Sequence, residues 1–298
     1  MTWLSKYKVS DLSLPTPLIS LSHPEQALFQ AINTLSEKHL LSAPVLSPSG
    51  DLLGVLDALD IVAYTVKSAA DGQEKFADVP LDKVMSLGHD GAKPAEVTME
   101  TPLDEVATII SGSARRAVVM GADGRPHSVI TQSALVHFMH GKLDEIEALK
   151  SQWTAQDLCS TSPVCVVDTQ SALSAFQAIN EHHVSSVAIV DEENSSMISV
   201  ASATDLVVGI AHMDDKSAAL KRLADENIVD VIMGNRKLDH KARAATVMVK
   251  QDQTLEHILE KLAKTRVHRV IVCGEDQKKP HGVLSLTDIC RAAAKGGS

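Results

Sequence analysis

Asp60, Asp205 and Asp288 each stand where an apolar run gives way to a helical pattern. Two of them carry hydroxyls at fixed spacing, in Ser202-Ala203-Thr204-Asp205 and Ser285-Leu286-Thr287-Asp288. A carboxylate only accepts hydrogen bonds, and it has room for both hydroxyls of a sugar. Thr204 or Thr287 can meet an anion beside it, and the unpartnered N–H groups of a helix opening favour negative charge there. Ser-x-x-Asp also fits a capping box, in which the carboxylate bonds back to the cap residue, so both readings stay open. Around Asp60 the hydroxyl positions hold Asp57 and Leu59, and the corresponding place in a further copy holds Ala134, which has no carboxylate. Cations that could hold a phosphate precede the apolar runs: Arg115-Arg116 and His268-Arg269, with His183 in another copy and Leu41 in the last. Arginine captures planar anions in a bidentate fork, and histidine adds a titratable donor. Solvated strand ends would look the same.

No catalytic residue is expected. The chain has no Gly-x-Ser-x-Gly elbow, no phosphate loop ending in Gly-Lys-Ser/Thr and no His-Glu-x-x-His. His137-x-x-His140 and His182-His183 lack Cys or carboxylate partners at ligand spacing, so no metal is expected either. The 298 residues carry 28 Lys+Arg against 38 Asp+Glu, a net charge of −10, which argues against a nucleic-acid or anionic-lipid partner. Aromatic residues are 3%, too few for base-stacking platforms. Four cysteines without a Cys-x-x-Cys pair suit a reducing compartment. With no signal-like segment and no long apolar run, the expectation is a cytoplasmic, or nuclear, protein.

The elements that must position these residues repeat. Phe29-Gln30-Ala31-Ile32-Asn33 recurs letter for letter as Phe176-Gln177-Ala178-Ile179-Asn180, an offset of 147. Ser10-Asp11-Leu12-Ser13 answers Gln156-Asp157-Leu158-Cys159 at 146, and Val84-Met85 answers Ile232-Met233 at 148. Each half divides again, giving four runs of strand, amphipathic helix, strand, turn, strand and helix. Helices open at Pro24, Pro102, Ser171 and Thr254, and Leu255, Ile258, Leu259 and Leu262 form one buried stripe.

A β-α-β-β-α repeat closing on Gly282-Val283-Leu284-Ser285-Leu286-Thr287-Asp288-Ile289 resembles the CBS domain. Four copies in one chain resemble the gamma subunit of AMP-activated or SNF1-type protein kinase and plant CBS-domain proteins. The resemblance implies an α/β (α+β) fold in which four CBS repeats pair into two modules, residues 1–140 and about 153–298, as a pseudo-symmetric disc. Repeats are expected at 1–72, 73–140, 153–213 and 214–298, with a connecting helix or linker at 141–152 and an insert at 234–245. The basic part of the insert, 236–243, is expected to be solvated, with a docking or phosphate role as the alternative. The family implies a non-catalytic regulatory protein that binds AMP, ADP, ATP or a related adenosyl ligand between paired repeats and passes energy status to a partner. Ribose would go to Asp60, Asp205 and Asp288. Hydroxyl and phosphate contacts would come from Ser202, Thr204, Ser285, Thr287, Arg115, Arg116, His183, His268 and Arg269. The implied partner is a protein kinase catalytic subunit or another regulated protein, with a homodimer as a further assembly. A CBS-fold scaffold with degenerate sites is the alternative.

Overall fold

Four small sheets follow one local rule: a parallel pair joined through a helix, then an antiparallel partner reached by a short turn. A parallel connection needs a crossover, which the helix supplies. The computed structural model describes residues 2–85, 87–88, 94–112, 114–146, 153–238, 246–274 and 278–295. Repeat 1 runs β1 (Leu21–Ser22), α1 (Leu28–Glu37), β2 (Ser42–Leu46), β3 (Leu52–Asp57) and α2 (Ala58–Ala70). Repeat 2 runs β4 (Ala95–Val97), α3 (Leu103–Ile110), β5 (Arg116–Met120), β6 (Pro126–Thr131) and α4 (Gln132–Gly141). After α5 (Ala155–Leu158) and β7 (Ser160–Thr161), repeat 3 runs β8 (Cys165–Val167), α6 (Ala172–Glu181), β9 (Ser186–Val190), β10 (Met197–Ser202) and α7 (Ala203–Ala211). Helices α8 (Ala219–Asp225) and α9 (Ile228–Leu238) follow. Repeat 4 then runs β11 (Met248–Lys250), α10 (Leu255–Thr265), β12 (Arg269–Cys273), β13 (Pro280–Ser285) and α11 (Leu286–Lys295).

The stripe expected in α10 is the buried one: Leu255, Ile258, Leu259 and Leu262 all lie in the core. Thr254 caps this helix, its side chain accepting from the His257 N–H. Pro102 and Ser171 occupy the same cap position in repeats 2 and 3. In repeat 1 the helix opens later than expected, at Ala27 rather than Pro24. The cause is a local turn, in which Gln26 N–H donates to the Ser22 carbonyl and the Gln26 side chain accepts from Ser22 N–H.

The chain forms two compact units that interleave along the sequence, rather than the expected modules of 1–140 and 153–298. Unit 1 comprises Met1–Leu18, Pro94–Pro163 and Ala244–Ser298, and so holds repeats 2 and 4. Unit 2 comprises Ile19–Lys93 and Val164–Arg243, and holds repeats 1 and 3. Each has its own apolar core. Within unit 2, α1 packs on α7, α2 packs on α6, and α2 also meets α7. This reciprocal pattern is what two copies of one motif make about a local two-fold. Unit 1 repeats it, with α3 on α11, α4 on α10 and α11 on α4. The amphipathic faces that the sequence repeats therefore bury against the copy half a chain away.

The segments between repeats follow this division. α8 packs on α6 and α2, while α9 packs on α6 and α7, so both belong with repeat 3. The start of the insert at 234–245 is the end of α9, and 239–245 lie outside the described residues. In the connection at 141–152, residues 142–145 form turns rather than the expected helix, and 147–152 lie outside the described residues. The matching segments 10–13 and 156–159 are equivalent in structure. The Asp11 carboxylate accepts from Lys8 N–H and the Asp157 carboxylate from Thr154 N–H, each at 2.8 Å. After α5, β7 adds a fourth strand to the sheet of repeat 4, pairing Thr161 with Gly282 and Ser160 with Val283.

Candidate functional site

The three aspartates all sit in the first turn of the helix that closes their repeat, and all three make the capping box. In repeat 4, Asp288 Oδ2 accepts from Ser285 N–H at 2.9 Å and from Ser285 Oγ at 2.6 Å. In repeat 3, Asp205 Oδ2 accepts from Ser202 N–H at 2.8 Å and Ser202 Oγ at 2.6 Å. In repeat 1, Asp60 Oδ2 accepts from Asp57 N–H at 2.8 Å. Repeat 2 keeps its cap without a carboxylate, because the Thr131 side chain accepts from Ala134 N–H. Capping consumes one carboxylate oxygen. The second oxygen separates the three sites.

Asp60 Oδ1 accepts from the Gly88 backbone N–H at 2.8 Å, and Asp60 is buried. Asp205 Oδ1 lies 3.6 Å from Arg236 Nε, its side chain 12% exposed. Asp288 Oδ1 lies 3.2 Å from Arg291 Nη1, where the arginine is half exposed and the aspartate 18% exposed. An exposed ion pair of this kind contributes little and exchanges readily with solvent. Asp288 is therefore the carboxylate whose second oxygen is most open to an incoming hydroxyl. Beside it, Cys290 is fully buried, and burial first and the Asp288 charge second push its thiol far above the usual range.

Strand register places the cations. Arg269 is the direct partner of Ser285, the cap residue of α11, and Arg116 is the direct partner of Thr131, the cap residue of α4. Directly opposed residues of an antiparallel pair project to the same face. The corresponding partners in unit 2 are Ser42 opposite Asp57 and Ser186 opposite Ser202. Both repeats of unit 1 thus place an arginine across from the cap, and both repeats of unit 2 place a serine there. His268 holds the same corner, its carbonyl accepting from Leu286 N–H at 3.0 Å. Leu41 and Ser185 make that bond in repeats 1 and 3, to Ala58 and Ala203 N–H.

That equivalence moves His183. It sits just past the end of α6 in the left-handed conformation, φ 55°, where repeats 1 and 4 carry His39 and Arg266. Its place is the end of the first helix, two residues before the corner that Ser185 occupies. Arg115 is also left-handed, φ 49°, directly before β5. Of the hydroxyls, Thr204 is half-buried in the first turn of α7. Thr287 Oγ1 accepts from Gln132 Nε2 at 2.9 Å, and the same amide reaches the Ile110 carbonyl at 2.6 Å. Gln132, Gly88 and Arg236 are contacts that motif spacing did not reveal. Only the 148 offset of Val84-Met85 and Ile232-Met233 pointed toward the last two, since positions 88 and 236 continue it. Among the described residues, no group of three or more His, Cys, Asp or Glu side chains could hold a metal ion. No helix there is long and apolar enough to cross a membrane.

Residues 155–212 and 243–295 match the family model of the CBS domain. Protein sds23/moc1 of Schizosaccharomyces pombe is 22% identical over 91% of this chain and 76% of its own length. The 5′-AMP-activated protein kinase subunit gamma of Saccharomyces cerevisiae is 25% identical over 90% of this chain and 84% of its own. The chain spans less than half the length of other relatives that it matches. Among solved structures, protein MJ1225 from Methanocaldococcus jannaschii superposes with a TM-score of 0.72 at 14% identity, covering 96% of this chain and 99% of that one. That likeness extends the fold to all four repeats.

Proposed function

We propose that the chain is a non-catalytic CBS-domain regulatory protein that binds an adenine nucleotide in unit 1 and reports it to a protein partner. Asp288 takes the ribose hydroxyls through Oδ1. Arg269, with His268, holds the phosphate. Arg116 supplies a second cation from repeat 2. The observation that carries this reading is the coincidence, in one repeat, of the most accessible motif carboxylate and an arginine in direct register with its cap. AMP, ADP, ATP and adenosyl compounds share the diol that Asp288 would accept, and only the phosphate-bearing ones use Arg269. A kinase catalytic subunit is the partner class, supported by a relative named as a gamma subunit of such a kinase.

The test is a thermal melt and equilibrium titration of the full chain with AMP, ADP, ATP and S-adenosylmethionine. A ligand at one hundred times its dissociation constant stabilises the folded state by about 2.7 kcal/mol. For a unit of this size that corresponds to a melting shift of roughly 5–10 °C. No shift with any of the four favours the second reading, a CBS-fold scaffold with degenerate sites. That reading has its own support in Ala134 and in the closed carboxylates of unit 2.

A further inference from the structure

The carboxylates of unit 2 are closed by the chain itself, at matching places in the two repeats. Gly88 donates its backbone N–H to Asp60, and Arg236 brings its guanidinium to Asp205. We infer that Asp205 is a latent nucleoside-binding carboxylate held shut by Arg236, a side-chain plug that a single substitution opens. This rests on the reading of the motif aspartate as a ribose acceptor.

The guanidinium is held on three sides. Nε faces Asp205 Oδ1 at 3.6 Å, Nη1 donates to Ser199 Oγ at 2.8 Å, and Nη2 donates to the Val200 carbonyl at 2.5 Å. Asp205 Oδ2 is spent on the Ser202 cap, and the guanidinium covers Oδ1 as a half-buried ion pair rather than a hydrogen bond. Asn235, the preceding residue of α9, fixes the approach by donating Nδ2 to the Asp205 carbonyl at 2.8 Å. It wedges against Gly209, where a Cβ would lie 2.3 Å from Nδ2. The seat has a cost. Asn235 is 2% exposed, and its Oδ1 has no hydrogen-bond partner among the described residues.

The two closures differ in kind. At Gly88 a Cβ would meet Asp60 Oδ1 at 2.8 Å and the Asp60 backbone N at 3.1 Å, so the Asp60 closure is made by main chain at contact distance. Arg236 closes Asp205 with a removable group. Once opened, the site has a carboxylate and, opposite the cap, Ser186 in place of an arginine. Its ligand class is therefore the neutral ribose diol of a nucleoside, without preference for the phosphate.

The experiment is calorimetric titration of the full chain with adenosine and with AMP. Arg236→Met keeps the apolar stem of the side chain and removes the guanidinium; Arg236→Gln is the second variant, keeping a donor for Ser199. Each is expected to bind one more equivalent of adenosine than the wild type, with AMP binding that added site no tighter than adenosine. Asp205→Ala in the Arg236→Met background should remove the added equivalent and leave the one that depends on Asp288. Unchanged stoichiometry with the Asp288-dependent equivalent intact overturns the plug alone. No equivalent in any variant overturns the nucleotide reading with it. Failure of both substitutions to fold makes Arg236 a structural pin and also overturns the inference.

Discussion

Replacing Asp288 by alanine removes two roles from one side chain, and their magnitudes separate them. Oδ2 takes two hydrogen bonds from Ser285, at 2.9 and 2.6 Å, and losing this cap costs about 1 kcal/mol of folding stability. In a unit of this size that lowers the melting temperature by roughly 2–4 °C. The Arg291 contact adds little, since that arginine is half exposed. In the proposed site Oδ1 carries the ligand role. A hydrogen bond to a charged group contributes about 1.5–3 kcal/mol, so alanine should weaken adenosine and AMP alike by about 10- to 150-fold. Asp288→Asn keeps an acceptor for Ser285 and loses the charge, so it should retain more stability than alanine while still losing affinity. Calorimetric titration well below the melting temperature reads the affinity of the folded protein apart from its stability. A variant that melts earlier but binds both ligands within twofold of wild type would show that Asp288 only caps α11, and the ribose assignment would fall.

Arg269→Ala should weaken AMP by about 10- to 150-fold and leave adenosine nearly unchanged, because only the phosphate uses the guanidinium; equal losses for both ligands would refute the phosphate role. At Gly282 a Cβ would lie 2.5 Å from the Ser160 carbonyl oxygen, a backbone atom, so Gly282→Ala should displace β7. The expected signs are a stability loss of about 1–3 kcal/mol in urea unfolding and faster amide exchange at Ser160 and Thr161; wild-type values would contradict the pairing. Hydrogen bonds from Thr154, first backbone and then hydroxyl, hold the Asp157 carboxyl below its usual value. Its contribution to stability is therefore present above about pH 4 and lost as pH falls through the lower folded value, so Asp157→Asn should flatten that acid limb of the unfolding curve.

The offset near 147 announced two equivalent halves because identical letters, such as Phe29–Asn33 and Phe176–Asn180, recur when one motif is copied, and the recurring order of elements divided each half again. The second strands were legible within one residue, since a short apolar run after an amphipathic helix has few other readings. The resemblance implied modules at 1–140 and 153–298, whereas the fold joins repeat 1 to repeat 3 and repeat 2 to repeat 4. The apolar faces of α1 and α6 have the same period and similar residues, and periodicity says that a face is buried without saying against what. Only the fold shows α1 on α7 and α2 on α6, within a unit that joins two stretches separated in sequence. The motif aspartates were legible as a recurring chemical type, yet their differences lie in partners far along the chain, Gly88 for Asp60 and Arg236 for Asp205. His183 lies two residues before the corner that Ser185 occupies, and sequence spacing cannot tell a left-handed helix end from the strand start three residues on.

The central claim is that an adenine nucleotide binds in unit 1, at the corner where β12 meets α11. Hydrogen–deuterium exchange of the full chain, with and without AMP at saturating concentration, tests it directly. Slowed exchange is expected at the backbone amides of 268–270 and 286–290, with those of 58–61 unchanged. Protection confined to unit 2, or none anywhere at millimolar AMP, would contradict it.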